Sequence, residues 1–185
     1  MKITKTPLNG LLIVDLDFHG DERGFFLERF HIEKFSQLGL PTIFNQINHS
    51  RSGMNILRGL HYQHNPGQGK LVGVIRGGIY DVAVDIRPDS TTYGRYFGIE
   101  LTDTNGKLLW VPEGFAHGFC VTSEELTDVI YNTTSIYNPA GEGGIAWDDP
   151  EIAIDWPIKK PILSEKDTRQ KSFSEYKKNP PMWNK

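Results

Sequence analysis

Apolar and polar residues alternate along most of the chain, and this period of two predicts β-strands. The alternation marks strands at residues 11–18, 22–30, 43–48, 57–63, 70–75, 79–86, 96–102, 107–111, 118–121 and 127–133. The pattern changes once, where Ile32, Phe35 and Leu38 recur at three-residue spacing and predict a short amphipathic helix. Turn residues separate the strands, including a predicted turn at 19–21 and a strong hairpin signal at Asn105-Gly106.

Many short strands with little helix predict an all-β protein, either an antiparallel sandwich or a jelly roll. The 185 residues are enough for one domain with a substantial core, and they contain no internal repeat. We expect a single domain over residues 1–185, with a C-terminal tail at about 159–185 packed over the barrel. Within that tail, Ser-Glu-Lys-Asp at 164–167 predicts a capping box that opens a short helix, and residues 177–181 are expected to be irregular.

Charge and composition narrow the classes of function. The chain has 20 Lys and Arg against 23 Asp and Glu, so neither nucleic acid nor an anionic membrane surface is an expected partner. The apolar run at 11–14 is too short to cross a bilayer and the first residues do not resemble a signal peptide, so we expect a cytoplasmic location. The single cysteine, Cys120, lies in an apolar run and is expected to be a buried small side chain.

The densest group of chemically useful side chains lies between residues 58 and 72. Arg58, His61 and Lys70 fall within one strand, a turn and the start of the next strand, with glycines beside them. A lone histidine in a strand is more often structural than catalytic. Because imidazole titrates nearest to neutral pH, His61 in this cationic setting is nevertheless a candidate base acting on an anionic ligand.

The histidines also permit a metal site as a minority interpretation. His61, His64 and His117 could be imagined as zinc or iron ligands on a double-stranded barrel. The usual pattern in such barrels is two histidines one residue apart followed by a glutamate, which this sequence lacks. Two residues separate His61 from His64, so on an extended strand they face opposite ways.

For several other polar and aromatic residues, the sequence does not decide between an ordinary structural role and a functional one. Tyr131 lies on a predicted strand and could be a core aromatic or a weak acid that donates a proton, and Tyr137 follows it. Asp167 fits a helix-capping carboxylate. Arg23 and Glu28 fit solvent-facing strand charges, whereas Gln46 and Asn48 share one face of a strand and could hydrogen-bond a base or a sugar.

A series of motifs runs through the chain from about residue 21 to residue 167. They are Asp-Glu-Arg-Gly at 21–24, Arg-Gly-Leu-His-Tyr-Gln at 58–63, Gly-Lys-Leu-Val at 69–72, Asp-Val-Ala-Val-Asp-Ile-Arg at 81–87, Pro-Glu-Gly-Phe-Ala-His-Gly-Phe at 112–119, Trp-Asp-Asp-Pro at 147–150 and Leu-Ser-Glu-Lys-Asp at 163–167. In this set and this order, the chain closely resembles the dTDP-4-dehydrorhamnose 3,5-epimerase family. The chain departs from the family at Ile47, where aspartate is frequent, and at Gly73, where arginine is frequent.

The resemblance implies a cupin-type double-stranded β-helix, or jelly roll, with a few short helices. It implies a homodimer in which N-terminal strands, at about 1–30, cross to the partner subunit, and it implies neither a metal nor an organic cofactor. The implied reaction inverts C3 and C5 of dTDP-4-dehydro-6-deoxy-D-glucose to give dTDP-4-dehydro-L-rhamnose, within dTDP-L-rhamnose biosynthesis.

The resemblance also implies a role for each matching position. His61 matches the base, Tyr131 the acid, Lys70 the lysine near the developing enolate, and Asp167 the aspartate that orients the histidine. The matching substrate-binding positions are Arg23, Glu28, Gln46, Asn48, Arg58, His117, Glu142 and Lys166, with Tyr137 where the family stacks an aromatic ring on thymine. In the family, Arg23 and Glu28 reach the partner's site.

Three alternatives remain open at this point. An epimerase acting only at C3 or only at C5, or on a related nucleotide sugar, has the same motifs. A metal-dependent cupin enzyme and a non-catalytic sugar-nucleotide binder belong to different classes. The metal-dependent enzyme needs a bound metal, whereas the binder does not need His61 or Tyr131 for its function.

Overall fold

Strands dominate the computed structural model, which describes residues 1–183. They are β1 (Lys2–Lys5), β2 (Leu12–Asp15), β3 (Phe18–Asp21), β4 (Gly24–Leu27), β5 (Gln46–Ser52), β6 (Leu57–Gln63), β7 (Lys70–Arg76), β8 (Gly78–Asp85), β9 (Tyr96–Thr102), β10 (Lys107–Val111), β11 (Phe115–Val121), β12 (Thr127–Thr133) and β13 (Glu142–Gly144). The helical elements are short: α1 (Ile32–Gln37), α2 (Phe173–Lys178) and the 3₁₀ turns Pro139–Gly141 and Asp167–Arg169.

The strands form two main antiparallel sheets and a separate hairpin. The six-stranded sheet has the order β1-β2-β10-β7-β12-β5, and the five-stranded sheet has the order β13-β6-β11-β8-β9. Within residues 1–183, strands β3 and β4 pair with each other and with no other strand. Non-consecutive neighbours in both sheets are typical of a jelly roll, so the predicted all-β architecture is confirmed.

The core lies between the two sheets. A central cluster contains Val72 and Val74 of β7 together with Ile79 of β8 and Phe119 of β11, so side chains of both sheets interdigitate. On these strands successive side chains point to opposite faces. Alternate residues of strands such as β9 and β11 therefore enter the central cluster, which explains the alternation in the sequence.

Two further clusters cover the outer faces of the sheets. Val82 of β8 and Cys120 of β11 belong to an outer cluster with Trp156 and with Phe173 and Tyr176 of the C-terminal tail. This cluster buries Cys120 completely, as predicted, and burial raises the pKa of its thiol to about 12. On the other side, Phe35 of the predicted helix packs against Leu71, Leu108 and Trp110.

The bounds of several core strands agree with the alternation, whereas other core strands differ by one to three residues, as β11 does by beginning at Phe115 and not at 118. The predicted strands 57–63, 96–102, 107–111 and 127–133 are confirmed residue for residue. The turn predicted at 19–21 is wrong, because these residues belong to β3 and the chain reverses between Asp21 and Gly24.

The predicted capping box is displaced along the tail. The complete box is formed by Ser172 and Glu175 at the start of α2, whereas the turn at Asp167 has Ser164 as a partner but no side-chain cap at Lys166. Helix α2 also includes the first two residues of the segment expected to be irregular. Within residues 1–183, no helix has the length and apolar character needed to span a membrane.

Candidate active site

Polar side chains occupy core-facing positions at one end of the six-stranded sheet. On β7, Lys70 lies two residues before Val72, and on β12, Tyr131 lies two residues after Val129. Val72 and Val129 belong to the central cluster, and Tyr131 packs against it. The period of two therefore turns Lys70 and Tyr131 towards the interior of the sandwich.

The facing five-stranded sheet contributes polar groups to the same interior. On β8, Asp81 lies between Ile79 and Ala83, which are both in the central cluster. On β11, His117 lies two residues before Phe119 of that cluster. Burying such groups costs several kcal/mol unless they are paired, so their presence at core positions indicates a functional site.

His61 enters the interior from β6. Its sequence neighbours Leu60 and Tyr62 belong to the outer cluster, so the imidazole points the opposite way. In the sheet His61 lies directly opposite His117. The antiparallel register thus brings the two histidines, far apart in the chain, to neighbouring positions.

His61 forms a dyad with Asp167 from the C-terminal tail. The imidazole Nε2 lies 2.6 Å from Asp167 Oδ1, and the carboxylate is only 4% exposed. Ser164 Oγ donates to Asp167 Oδ2 at 2.7 Å. Burial acts to raise the pKa of Asp167, but the hydrogen bonds from His61 and Ser164 outweigh it and the pKa lies below its usual value.

The dyad sets the tautomer of His61. An ionised carboxylate only accepts hydrogen bonds, so Nε2 carries the hydrogen and Nδ1 has the free lone pair. Lys171 of the tail bridges to Ile145, and Ile162 bridges to Ile56 beside β6, so the turn that carries Asp167 is held on both sides.

Lys70 is enclosed by the site. Its Nζ lies 3.4 Å from the carbonyl oxygen of His61. Burial lowers the pKa of Lys70 to about 8, against the opposing effect of the carboxylates of Asp81 and Glu142. An ammonium group here carries positive charge at neutral pH in a site that excludes much of the water.

Tyr131 is the weak acid of the interior. Burial raises the pKa of its phenol, and Glu142 raises it further, while Arg58 acts in the opposite direction. The phenol is therefore neutral and protonated at neutral pH. Its strand pairs with β5, where Asn48 is its register partner.

Asp81 lies in the site in addition to the residues that the sequence predicts. It accepts a hydrogen bond from His117 Nε2 at 2.8 Å, and both side chains are buried. A signal was present, because in the alternation of β8 Asp81 occupies the same face as Ile79 and Ala83. His117 itself was selected as a binding residue, and the structure places it beside Asp81.

At the mouth of the site, Glu142 connects two predicted binding residues. Tyr137 OH donates to its Oε2 at 2.7 Å, and Lys166 Nζ lies 2.6 Å from its Oε1. Gln46 Oε1 accepts from the backbone N–H of Tyr137, and Gln46 Nε2 donates to Asn48 Oδ1. An open groove of about 460 Å³ begins here, lined partly by Glu142 and Lys166.

Three predicted binding residues lie outside this network. Arg58 is exposed, and its Nε donates to Ser52 Oγ at 3.0 Å. Arg23 lies at the tip of the β3–β4 hairpin, 84% exposed and paired with Asp21. Glu28 is paired with Lys34 at 2.7 Å. Within one chain, Arg23 and Glu28 are not brought to His61.

Of the three histidines considered as metal ligands, His61 and His117 are each paired with a carboxylate. In the described part of the chain, residues 1–183, no group of three or more His, Cys, Asp or Glu side chains is arranged as metal ligands. His61 and His117 each bond a separate aspartate, and His64 lies beyond the end of β6.

Comparison with known proteins gives a consistent set of relatives. A family model described as dTDP-4-dehydrorhamnose 3,5-epimerase matches residues 5–175. A protein of that name from Shigella flexneri is 46% identical over 175 residues, covering 94% of this chain and 96% of the relative. A dTDP-4-dehydrorhamnose 3-epimerase from Streptomyces niveus is 38% identical over 169 residues, covering 90% of this chain and 81% of the relative.

A solved structure matches at the level of the fold as well. The crystal structure of dTDP-6-deoxy-D-glucose-3,5-epimerase from Legionella pneumophila, in complex with dTDP-4-keto-L-rhamnose, superposes with a TM-score of 0.88. It is 44% identical in sequence, and the match covers 94% of this chain and 93% of that one. The cupin-type jelly roll expected from the motifs is confirmed.

Proposed function

The chain belongs to the dTDP-4-dehydrorhamnose 3,5-epimerase family, and we propose that it inverts C3 and C5 of dTDP-4-dehydro-6-deoxy-D-glucose with His61 as base and Tyr131 as acid. Family membership makes it an isomerase of the epimerase type. The observation that carries the assignment of roles is the placement of His61 and Tyr131 on facing sheets, both turned into one interior.

The substrate chemistry requires a base and an acid on opposite faces of the sugar. The hydrogens at C3 and C5 both lie next to the C4 ketone, so removal of either as a proton leaves an enolate with its charge on the ketone oxygen. Return of a proton to the opposite face inverts the carbon. The reaction has no net oxidation and consists of proton transfers.

His61 is suited to remove the protons. With Nε2 donating to Asp167, Nδ1 accepts the proton, and the imidazolium that forms is stabilised by the carboxylate at 2.6 Å. Ser164 holds the second carboxylate oxygen, which keeps the dyad in one geometry. Asp167 is thus proposed to orient the base and to balance its charge.

Tyr131 is suited to return the protons from the other side. Its raised pKa keeps the phenol protonated until a carbanion-like enolate is beside it. Well-placed acids and bases each contribute roughly 10²–10⁴ in rate. Lys70 supplies a positive charge near the carbonyl of His61, and we propose that it stabilises the enolate oxygen electrostatically.

The mouth of the site is proposed to hold the nucleotide. Tyr137 is half exposed, as a ring that stacks on thymine must be, and Gln46 and Asn48 lie next to it. Lys166 and Arg58 are proposed to bind the diphosphate, for which the guanidinium fork is well suited. The remaining members of the binding set are His117 in the interior and Glu142 at the mouth.

A second subunit is proposed to complete the site. The β3–β4 hairpin pairs with neither main sheet and exposes Phe25 and Phe26, by 50% and 70%. Burial of these rings against a partner is favourable by about 25 cal/mol per Å² of apolar surface. A homodimer with exchanged N-terminal strands would carry Arg23 and Glu28 to the neighbouring site. The cytoplasmic location and the absence of cofactors, nucleic acid and membrane partners stay predictions.

Solvent-exchange NMR tests the proposal. The protein is incubated with dTDP-4-dehydro-6-deoxy-D-glucose in D₂O, and deuterium is followed at each carbon. Label at both C3 and C5, with inversion at both, is expected. Label at only one carbon would favour a single epimerase, the alternative for which the Streptomyces niveus relative is the precedent.

Two variants connect the exchange to the proposed base. His61→Ala is expected to lose exchange at both carbons while remaining folded. His64→Ala is the matched control, because His64 lies three positions along the same segment and outside β6. Equal activity of His61→Ala and wild type would refute the proposed role and favour a different site or a non-catalytic binder.

A further inference from the structure

Asp81 is a buried carboxylate with one unused oxygen. The residue has 0% exposure, and Oδ1 accepts from His117 Nε2 at 2.8 Å. Among residues 1–183, Oδ2 has no hydrogen-bond partner. A buried carboxylate left half satisfied costs free energy, so a protein that retains one requires an explanation.

A buried cation shares this interior. Lys70 enters from the six-stranded sheet and Asp81 from the five-stranded sheet. The only hydrogen bond that Lys70 Nζ makes among the described residues is the long 3.4 Å contact with the carbonyl of His61. Desolvation of this kind favours the neutral amine, and nearby carboxylates favour the ammonium.

Two carboxylates, those of Glu142 and Asp81, favour the ammonium form of Lys70. They differ in how many other partners they already have. Glu142 already has an ion pair with Lys166 at 2.6 Å and a hydrogen bond from Tyr137. Among the described residues Asp81 bonds only to the imidazole of His117, and of the two carboxylates Asp81 has the larger effect on the pKa of Lys70. The charged groups that act on Lys70 are Asp81, Glu142 and Lys166, and the other titratable groups of this interior are His61, His117, Tyr131 and Asp167, with Arg58 acting on Tyr131.

We propose that Asp81 is a positioning residue that keeps Lys70 in the ammonium form, and that His117 holds the Asp81 carboxylate in place for this purpose. The inference rests on the proposed function of Lys70 at the enolate oxygen. The free oxygen of Asp81 supplies negative charge to the interior without neutralising Lys70 by direct contact. Lys70 therefore keeps its positive charge for the enolate that forms during each proton transfer.

The titration of Lys70 tests this inference without any substrate. Lysine is labelled with ¹³C, the Cε resonance of Lys70 is assigned by its absence in Lys70→Arg, and its shift is followed against pH. Loss of a nearby opposite charge moves a pKa by about 1–3 units, so Asp81→Asn is expected to lower that of Lys70 by about one unit or more. An unchanged titration in Asp81→Asn would overturn the proposal.

Kinetics supply the second readout. Asp81→Asn is expected to lower kcat at neutral pH in proportion to the loss of the Lys70 ammonium, which is about twofold for a pKa shift of one unit and about tenfold for a shift of two. KM is expected to change little, since the charge acts on the enolate more than on the bound ketone. Asp81→Glu, which keeps the charge, is expected to restore part of kcat and the Lys70 titration.

Asp85→Asn is the matched control. Asp85 is equally buried on the same strand and the same face, but Arg87, Ser90 and Thr92 satisfy both of its oxygens. Its loss is expected to lower thermal stability and to leave the Lys70 titration unchanged. A shift of Lys70 in Asp85→Asn equal to that in Asp81→Asn would overturn the specific role of Asp81.

The proposal stays testable if the asparagine variant does not fold. Asp81→Ser, which is smaller and equally uncharged, carries the same expectations. The Lys70 titration in the wild-type protein can by itself overturn the proposal, which would happen if Lys70 were neutral at pH 7. Absence of epimerase activity in the wild type would instead contradict the proposed function, and the Lys70 titration would remain interpretable.

Discussion

Replacement of Asp167 by asparagine is the sharpest test of the proposed base. Asparagine keeps the size of the side chain but loses the charge, and its amide can donate to Nε2 of His61. That bond would favour the hydrogen on Nδ1, the nitrogen proposed to accept the substrate proton. Asp167→Asn should therefore leave the geometry nearly intact while removing the active tautomer.

The magnitude follows from the geometry of the dyad. The 2.6 Å bond between Nε2 and Oδ1 places the centres of charge of imidazolium and carboxylate about 4 Å apart. At an effective dielectric constant of about 20, this attraction is about 4 kcal/mol. Because each 1.36 kcal/mol is a factor of ten in rate, we expect kcat to fall by roughly 10³-fold.

The assay measures kcat, KM and deuterium exchange at C3 and C5 for the wild type, Asp167→Asn and Ser164→Ala. Ser164→Ala removes only the hydroxyl bonds to Asp167 and keeps the charge, so its loss in kcat should be much smaller. A kcat for Asp167→Asn within about threefold of wild type would refute the reasoning, because general base catalysis alone is worth about 10² or more.

The stability that the Asp167 carboxylate gives the wild type, relative to Asp167→Asn, is expected to depend on pH. The pKa of Asp167 in the folded protein lies below its ordinary value of 3.8, so the folded state binds the proton more weakly than the unfolded state. The stabilisation from the carboxylate is therefore present above about pH 4 and is lost as the pH falls through the lowered pKa. Thermal melts should separate wild type from Asp167→Asn at neutral pH and converge in acid.

Three further outcomes are expected. Tyr131→Phe keeps the ring and removes the acid, so turnover measured by NMR should fall by about 10²-fold or more, and near-normal turnover would contradict its role. Because the pKa of Lys70 is about 8, kcat/KM of the wild type should decline as the pH rises through this value and the ammonium discharges; a profile that is flat to about pH 10 would contradict the role of its charge. Cys120 should not react with a thiol reagent in the native protein, because it is buried and burial raises its pKa to about 12, but should react after denaturation; rapid native labelling would contradict its burial.

The sequence by itself determined the strands that enter the core. Segments such as 57–63 and 127–133 alternate because every second side chain must leave water, and this requirement is visible locally. In the β3–β4 hairpin the alternation predicts the segment that contains β4 but not residues 19–21 of β3, which are exposed on both faces. Its first strand was therefore mistaken for a turn.

The sequence also contained the types of side chain that the site needs, and the motifs supplied their expected roles by resemblance. His61 and Lys70 are neighbours along the chain, so their association was visible without a fold. Asp81 was not selected, because an aspartate in a strand is informative only when its face is known to be the buried one.

Only the tertiary structure decided which groups touch. Asp167 is 106 positions from His61, and its pairing depends on the tail crossing beside β6. His117 reaches Asp81 through the register of β11 against β8, while Lys70 approaches from the other sheet. Periodicity determines which face of a strand a residue occupies, but strand order and register determine what faces it, and these arise from contacts distributed over the whole chain.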